Sequence, residues 1–389
     1  MDNCVIPQGY KATALGIIPQ EWEVMRLGDI VSITSGESPS LYHLKAKGKY
    51  PYVKVEDLNN CEKYQESSRE YSDDNNTTIK AGSIIFPKRG ASILNNKVRI
   101  AAKDIQMDSN MMAITPHTAI VDTEFLYIRI LHERLYRIAD TSSIPQINNK
   151  HIIPYKIAVP PLAEQRKIAE VLGVWDEAIE KQARLIEKLA LRKRALMQRL
   201  LSAKLRLPGF SEPWKEQKIN KITTIKKGEQ VNKDVLFSNA KYPVINGGIT
   251  PSGYLDTYNT KANTITISEG GNSCGYVNFM TTPFWSGGHC YTIDAKDGIN
   301  NLFIYQLLKN NEKYIMSLRV GSGLPNIQIK DLGNIKFMIP TYQEQTAIAE
   351  VLIAADREIE LAKEKLERLR RQKRGLMQQL LTGKKRVKY

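Results

Sequence analysis

The chain has 389 residues, of which 56 are Lys or Arg and 41 are Asp or Glu, so its formal net charge at pH 7 is +15. This length predicts two to four domains, and the positive charge favours a polyanionic partner such as nucleic acid. No run of about 18 uncharged apolar residues and no apolar leader occur, which argues against membrane-spanning and secreted classes. The four cysteines form no CxxC pair, so we expect a reducing, cytoplasmic environment.

The first globular segment, residues 22–155, contains short β-type runs and one helical stretch. The runs are VSIT, PYVKV, GSIIF and MMAIT, and the helical stretch is TEFLYIRILHERLYRI. They predict a mixed α/β domain with a curved antiparallel sheet. The loop after GSIIF combines glycine with basic and amide side chains, which suit phosphates and base edges, although an ordinary polar hairpin tip is the alternative. The candidate DNA-contacting residues are Lys88, Arg89, Gly90, Asn95, Asn96 and Lys97.

The next segment predicts a long helix. Pro160 and Pro161 precede it, because proline is tolerated in a first helical turn, and Glu164 suits the positive end of the helix dipole. Apolar positions then step by four and three over more than four heptads, which is typical of a coiled coil. The apolar members of the pattern are Ile168, Leu172, Trp175, Ile179, Ile186 and Leu189, and the start motif Glu164 and Gln165 completes the candidate partner and coiled-coil residues of this helix.

The second globular segment, residues 214–335, and a second long helix repeat this order. The β-type runs are TITIS, YVNFM and CYTI, and the helical stretch is NLFIYQLLKNNEKYIMSL. The candidate DNA-contacting residues are Asn246, Asn272, Ser273, Arg319 and Ser322. The helix positions are Glu344, Gln345, Ile348, Leu352, Ile359, Leu366 and Leu369.

The two halves of the chain are related by duplication. At an offset of 180, residues 160–206 align with 340–386 without a gap, and about 22 of the 47 pairs are identical. Towards the N-terminus the similarity resumes at an offset of 192, so the second globular segment lacks about twelve residues. A period of this length indicates a duplicated domain pair with a pseudo-twofold axis and excludes a solenoid.

Charge predicts how the two helices pair. Each begins acidic and ends basic, so antiparallel packing places the acidic half of one beside the basic half of the other. A register centred near residues 184 and 364 would bring the Lys373 ammonium over the Trp175 ring in a cation–π contact. The predicted fold class is α+β, with two mixed α/β globular domains joined by two long helices in an antiparallel, pseudo-twofold coiled coil.

Motifs for catalysis are missing from the sequence. There is no GxxxxGK[ST] phosphate loop, no Asn/Asp-Pro-Pro-Tyr/Phe run and no GxSxG elbow. His289 beside Cys290 invites a metal site, but further ligands at suitable spacing are absent. Three functions stay open from the residues: a DNA reader, a coiled-coil adaptor whose ends bind proteins, and a nuclease or modification enzyme with an unrecognised site.

The sequence as a whole resembles the specificity subunit of type I restriction-modification enzymes. The stretches that carry the resemblance are LGIIPQEW followed by RLGDI, PQIN with KIAVPPLAEQRKIAEVL, PNIQ with MIPTYQEQTAIAEVL, and the helix ends ALMQRLL and KRGLMQQLLTGK. The resemblance implies target-recognition domains at 1–157 and 207–337 and conserved helical regions at 158–206 and 338–389. The family often has a Gly-Ser-Gly-like turn before the closing segment, which Gly321–Gly323 matches and Thr141–Ser143 does not.

The resemblance also implies a function and partners. In that family each target-recognition domain reads one half of a bipartite site in double-stranded DNA, while the helices set the spacer and dock two methyltransferase subunits. The chain is then a non-catalytic reader that binds no cofactor or metal itself. S-adenosylmethionine, ATP and Mg belong to the methyltransferase and restriction (translocase) subunits. Two readers on one face of B-DNA sit about 10 bp apart, which leaves an expected spacer of about five to eight base pairs.

Overall fold

The computed structural model describes residues 6–321 and 325–388. The chain divides into two compact units, Met1–Lys181 with Leu366–Tyr389, and Gln182–Lys365. Each unit contains one globular part and a segment of both long helices. Each compact unit therefore combines one expected reader with parts of both expected helical regions, because each globular part packs with both helices.

The first unit contains mixed sheets covered by helices. Its strands are β1 (Tyr10–Thr13), β2 (Gly16–Pro19), β3 (Glu23–Arg26), β4 (Val31–Ser35), β5 (Tyr50–Val53), β6 (Tyr64–Gln65), β7 (Tyr71–Ser72), β8 (Ile84–Pro87), β9 (Arg99–Ala101), β10 (Gln106–Met107), β11 (Met111–Pro116) and β12 (Lys156–Val159). Its helices are α1 (Leu27–Ile30), α2 (Thr123–Glu133), α3 (Leu135–Ile138), α4 (Asn149–Ile152) and the start of α5 (Leu162–Leu200). The strand orders are β4-β11-β8-β9-β6, β10-β5-β7, β12-β3 and β1-β2.

The second unit repeats this plan with fewer strands. Its strands are β13 (Lys215–Lys218), β14 (Thr223–Lys227), β15 (Tyr242–Ile245), β16 (Gly253–Leu255), β17 (Thr264–Ser268), β18 (Val277–Met280), β19 (Trp285–Ser286), β20 (Cys290–Ala295) and β21 (Lys336–Ile339). Its helices are α6 (Ile219–Ile222), α7 (Asn301–Asn310), α8 (Glu312–Ser317), α9 (Ile329–Asn334) and most of α10 (Tyr342–Leu380). The strand orders are β14-β20-β17-β18, β16-β15-β19 and β13-β21.

The sheets are not wholly antiparallel, which corrects the expectation from sequence. Strand β5 pairs in parallel with β10, β6 with β9, and β15 with β19. Parallel neighbours need a long crossover connection, and long stretches of chain separate each of these pairs. The short β-type runs indicate the strands themselves, but they carry no information about pairing direction.

Each expected long helical stretch of the globular segments is broken into two helices. In the first unit the break lies at Arg134, whose φ of 66° ends α2 before α3 begins. In the second unit Asn311 separates α7 from α8, with φ −101° and ψ 15°. The hydrophobic period continues through both breaks, so the sequence pattern alone does not locate them.

The long helices run antiparallel within each unit, as their charges predict. In the first unit Asp176 of α5 forms an ion pair with Lys373 of α10. In the second unit Lys193 lies 2.6 Å from Asp356, and the buried Gln182 amide donates to the Ala362 carbonyl oxygen at 2.9 Å.

The Lys373 ammonium is held by the Asp176 carboxylate, and the expected cation–π contact with Trp175 is not among the ring contacts of the described residues. A full negative charge attracts an ammonium more strongly than an aromatic quadrupole does, which explains the correction.

The heptad positions predicted from sequence are buried or half-buried throughout both helices. The nearly inaccessible apolar members are Ile168, Leu172, Leu189, Ile348, Leu352 and Leu366, and the half-buried ones are Trp175, Ile179, Ile186, Ile359 and Leu369. Over residues 6–321 and 325–388, no helix combines the length and the apolar character required to cross a membrane.

Candidate nucleic-acid interface

In the first unit, three backbone segments hold the loop between β8 and β9, residues 88–98, which we call the first loop. Residue Gln146 pairs with Arg89 on one side and with Asp140 on the other. The framing bonds run from the Lys88 N–H to the Asn110 oxygen, from the Gly90 N–H to the Pro145 oxygen and from the Ile147 N–H to the Lys88 oxygen, each at 2.8 Å. Gly90 has φ 89°, which a residue with a Cβ rarely adopts.

In the second unit, the same frame surrounds the loop between β17 and β18, residues 269–276, which we call the second loop. Residue Asn326 pairs with Gly270 and with Val320. The framing bonds run from the Glu269 N–H to the His289 oxygen at 2.9 Å, from the Gly271 N–H to the Pro325 oxygen at 3.0 Å and from the Ile327 N–H to the Glu269 oxygen at 2.9 Å. Gly271 has φ 73° and corresponds to the glycine of the first loop. Lys88 and Glu269 therefore occupy equivalent positions.

The candidate residues of the first loop lie close together but differ in exposure. Arg89 and Asn95 are exposed, while Lys88, Gly90 and Lys97 are half-buried. Burial lowers the pKa of the Lys88 ammonium, and the negative charge of Asp108 partly opposes this. No ion pair of Lys88 occurs among the described residues, so its charge is available to an anionic or acceptor group.

Asn96 is an exception among these candidates, because its amide is used inside the domain. It adopts φ 51°, its Nδ2 donates to the Leu131 oxygen at 3.0 Å, and its Oδ1 accepts from the Leu135 N–H at 2.9 Å. These bonds hold the break between α2 and α3. Asn96 therefore supports the first loop, and its amide is not free to meet a base edge.

The candidate residues of the second unit come from three places in its sequence. Asn272 and Arg319 are exposed, and Asn246 and Ser273 are half-buried. The Asn246 Oδ1 accepts from the His289 N–H at 3.0 Å, which ties this residue to the second loop's frame. Ser322 lies outside the described residues, as does part of the Gly321–Gly323 turn.

A buried carboxylate at the start of the second loop was missed by the sequence analysis. Glu269 accepts from the Lys227 ammonium at 2.6 Å and from the Tyr291 hydroxyl at 3.1 Å, and its other oxygen lies 3.4 Å from the His289 Nδ1. Burial and the Glu269 charge raise the pKa of Tyr291. Its partners are distant in sequence, so no local pattern could have identified this network.

The pair of His289 and Cys290 does not form a metal site. His289 faces Glu269, whereas Cys290 is buried, and its burial raises the pKa of the thiol to about 11. In the part of the chain that the structure describes, no three His, Cys, Asp or Glu side chains are grouped so as to hold a metal ion.

In the first unit, a buried carboxylate joins the start of α5 to the residues that follow α10. Glu164 is 0% exposed, accepts from the Trp22 Nε1 at 2.9 Å, and receives two bonds from the Arg386 guanidinium at 2.6 and 2.8 Å. The bonds to Glu164 raise the pKa of Arg386. Gln165 accepts from the Asp122 N–H at 2.8 Å and so joins α5 to the N-terminus of α2. We call Trp22, Glu164 and Arg386 the first clamp.

In the second unit, Trp214, Glu344 and Arg206 form an equivalent second clamp. Glu344 is 0% exposed, accepts from the Trp214 Nε1 at 3.1 Å, and receives two bonds from Arg206 at 2.6 and 2.8 Å. Gln345 accepts from the Asn300 N–H at 2.8 Å. The repeated Glu-Gln pair thus has an intramolecular role in each unit, since side chains this buried cannot form a docking surface.

The outer faces of the long helices carry exposed apolar side chains instead. In the first unit Val174 is 62% exposed. In the second unit Leu191 is 63% exposed and Leu361 is 47% exposed. These apolar positions are thus accessible in each unit, whereas the Glu-Gln pairs are not.

Comparison with known proteins identifies the family. The family model described as "Type I restriction modification DNA specificity domain" matches residues 19–190 and 211–371. The chain is 25% identical to the type I restriction enzyme MjaVIII specificity subunit of Methanocaldococcus jannaschii, over 95% of this chain and 94% of that protein.

Solved structures show the same fold. The S subunit of a type I restriction-modification system from M. genitalium is 20% identical and matches with a TM-score of 0.62 over 92% of this chain and 96% of its own. A chain from a type I R-M system, from a structure on complex assembly and conformational transition, is 18% identical and has a TM-score of 0.63 over 94% of this chain and 99% of its own.

A DNA specificity domain matched in each half makes this a protein that recognises DNA sequence, which supports the DNA reader over the coiled-coil adaptor. The chain belongs to the family of type I restriction-modification specificity subunits.

Proposed function

We propose that each unit reads one half of an asymmetric, bipartite DNA site. The observation that carries this proposal is the recurrence of one loop frame with different side chains. The two loops share their backbone hydrogen bonds, yet Lys88 of the first corresponds to Glu269 of the second. A constant frame with variable side chains suits recognition of different base edges, because base specificity comes from side chains while positioning comes from backbone and phosphate contacts.

The long helices, in this proposal, set the spacer and bind two methyltransferase subunits. Their seams are buried in each unit, whereas the apolar side chains of Val174, Leu191 and Leu361 remain exposed on the other side of the helices. In the complex, the methyltransferase subunits would cover these exposed apolar side chains. The specificity subunit itself is non-catalytic, and the partner subunits supply S-adenosylmethionine chemistry and ATP-driven restriction.

The direct test is methylation of a randomised duplex DNA library by the chain with its methyltransferase subunits and S-adenosylmethionine. We expect methylated products that share two different half-sites separated by a fixed spacer. The chain alone should transfer no methyl group. Methylation without a shared sequence would contradict the half-site proposal, and methyl transfer by the isolated chain would contradict a non-catalytic role.

The role of the helices can be tested by matched insertions. Seven residues added to both helices, within residues 182–193 and 362–373, preserve the heptad and lengthen each helix by about 10 Å. We expect the same half-sites with a spacer longer by about three base pairs, since bases are about 3.4 Å apart. An unchanged spacer would show that the helices do not set it.

A further inference from the structure

Each loop frame presents one amide residue between two neighbouring backbone segments. In the first unit, Gln146 lies directly opposite both Arg89 and Asp140. In the second unit, Asn326 is paired in the same way on both sides. The second residue of PQIN and of PNIQ, Gln146 and Asn326, is therefore the central position of a small three-segment sheet in each unit.

Burial of the next residue fixes the direction of these amides. Ile147 and Ile327 are both 0% exposed and belong to the two hydrophobic cores. Successive residues of an extended segment point to opposite faces, so Gln146 and Asn326 point away from the core. Both are half-buried, which leaves their amide groups within reach of a ligand on that face.

Residues opposite one another in an antiparallel pair project from the same face of a sheet. Gln146 therefore shares its outward face with Arg89 and Asp140, and Asn326 shares its face with Gly270 and Val320. The amide is common to the two units, whereas its neighbours change from a charged pair to a glycine and an apolar side chain.

The described bonds leave these amides available. The Gln146 side chain forms no hydrogen bond with the described residues, unlike the Asn96 amide, whose two polar atoms are both engaged. The Asn326 Oδ1 accepts from the exposed Gln328 Nε2 at 3.2 Å, and no bond of its Nδ2 is found within residues 6–321 and 325–388. If the side-chain amides of Gln146 and Asn326 had a structural role, we would expect them to form hydrogen bonds with other residues of the frame.

We propose that Gln146 and Asn326 each read an adenine, one in each half of the DNA site. A carboxamide matches the N6 amino group and N7 of adenine with two hydrogen bonds in the major groove. The flanking residues then differentiate the halves: Arg89 suits an adjacent guanine and Asp140 a cytosine amino group, whereas Val320 suits a thymine methyl group. This inference rests on the proposed half-site function and places the two adenine-reading residues outside the loops themselves.

The test is selection of a randomised duplex library by the complex of the chain with its methyltransferase subunits, followed by sequencing of the bound DNA. Gln146→Ala should reduce the preference for one adenine by about tenfold or more, and leave the other half-site unchanged. Asn326→Ala should do the reverse, so that each variant is the control for the other. Asn149→Ala, an exposed amide close to Gln146 in sequence, should alter neither half.

A second variant keeps the test independent of folding. Gln146→Glu keeps the size of the side chain but only accepts hydrogen bonds, so it should shift the preference from adenine to cytosine at the same position. The inference is overturned when wild type selects two half-sites and both Gln146 variants select the same bases unchanged, or when the affected position is not an adenine. A wild-type complex that selects no bipartite sequence overturns the proposed function and the inference together.

Discussion

The two units keep one set of side chains constant and vary another. The clamps use Trp, Glu and Arg in both units, with each Glu 0% exposed. The loops use the same backbone bonds, but the residue that begins each loop is Lys88 in one and Glu269 in the other. Backbone hydrogen bonds do not depend on side-chain identity, so the side chains of a loop can change while its frame is kept. The members of a clamp bond one another through their side chains, so replacing one of them removes the hydrogen bonds of the others.

The largest effect should come from breaking a clamp. Arg386→Ala or Arg206→Ala leaves a buried carboxylate without its cation, which should destabilise the corresponding unit by roughly 3 kcal/mol. Chemical denaturation of the full chain, followed by hydrogen exchange, measures the loss and locates it. The first variant should lower protection in the first unit, and the second in the second unit.

The exposed neighbour Lys385 provides the matched control for the first clamp, since Lys385→Ala removes a charge near the same end without touching Glu164. Equal stabilities of Arg386→Ala and Lys385→Ala would mean that the clamp contributes nothing beyond surface charge. Arg386→Lys should fall between them, because an ammonium cannot form the paired guanidinium–carboxylate bonds.

The comparison between Lys88 and Glu269 predicts opposite consequences at equivalent positions. Glu269→Gln removes the charge that holds Lys227 and should destabilise the second unit by about 1–3 kcal/mol. Lys88→Gln should leave stability nearly unchanged, because Lys88 has no ion pair in the described structure. It should instead weaken DNA binding by the methyltransferase complex and, if Lys88 meets a phosphate, reduce the salt dependence by about one charge.

Denaturation and salt-dependent DNA binding measure these two outcomes separately. Loss of stability in Lys88→Gln comparable to that in Glu269→Gln would mean that both residues serve the frame. The distinction between a constant frame and variable readers would then be wrong at this position.

The seam of the helices predicts a smaller effect at Gln182, whose counterpart at an offset of 180 is Ala362. Gln182→Ala removes the bond to the Ala362 oxygen and should cost about 1 kcal/mol. Gln182→Leu should be close to neutral, because the apolar side chain fills the same space and that helical carbonyl retains its backbone bond. Thermal unfolding measures the stability of both variants. Equal losses of stability in Gln182→Ala and Gln182→Leu would show that filling the space of the side chain does not offset the lost hydrogen bond.

The repeated features of the fold could be predicted from sequence because they depend on periodic or local signals. The heptad residues from Ile168 to Leu189 are buried or half-buried as a 3.5-residue period requires, and the acidic-to-basic charge trend gives the correct antiparallel direction. The strand runs are also located correctly, since alternation and turn residues are local. The parallel pairs, such as β5 with β10, depend on distant segments and left no such signal.

The candidate site could be predicted only in part for the same reason. The composition of the first loop identified it as a candidate site that includes Arg89. The structural role of Asn96 comes from its hydrogen bonds to α2 and α3, and the role of Glu269 comes from its bonds with Lys227 and Tyr291, which are distant in sequence. PQIN was recognised as a stretch that carries the family resemblance, yet its Gln146 was not selected. The backbone pairing that turns this residue outward joins segments more than 50 positions apart.

The smallest predicted difference between the units is a pH dependence confined to the first. His132 in α2 occupies the position of Asn310 in α7, and burial, with the charge of Arg129, lowers the pKa of His132 below its usual 6.5. The folded state therefore binds this proton less readily than the unfolded state, so the stability contributed above about pH 6.5 is lost as the pH falls further. Hydrogen exchange can be measured at pH 7.5 and 5.5 and corrected for intrinsic rates. Between these pH values, the protection of residues 123–138 should fall more than the protection of residues 301–318. His132→Asn should remove the difference, because it gives the first unit the residue of the second; the same acid response in wild type and variant would assign the effect to other groups.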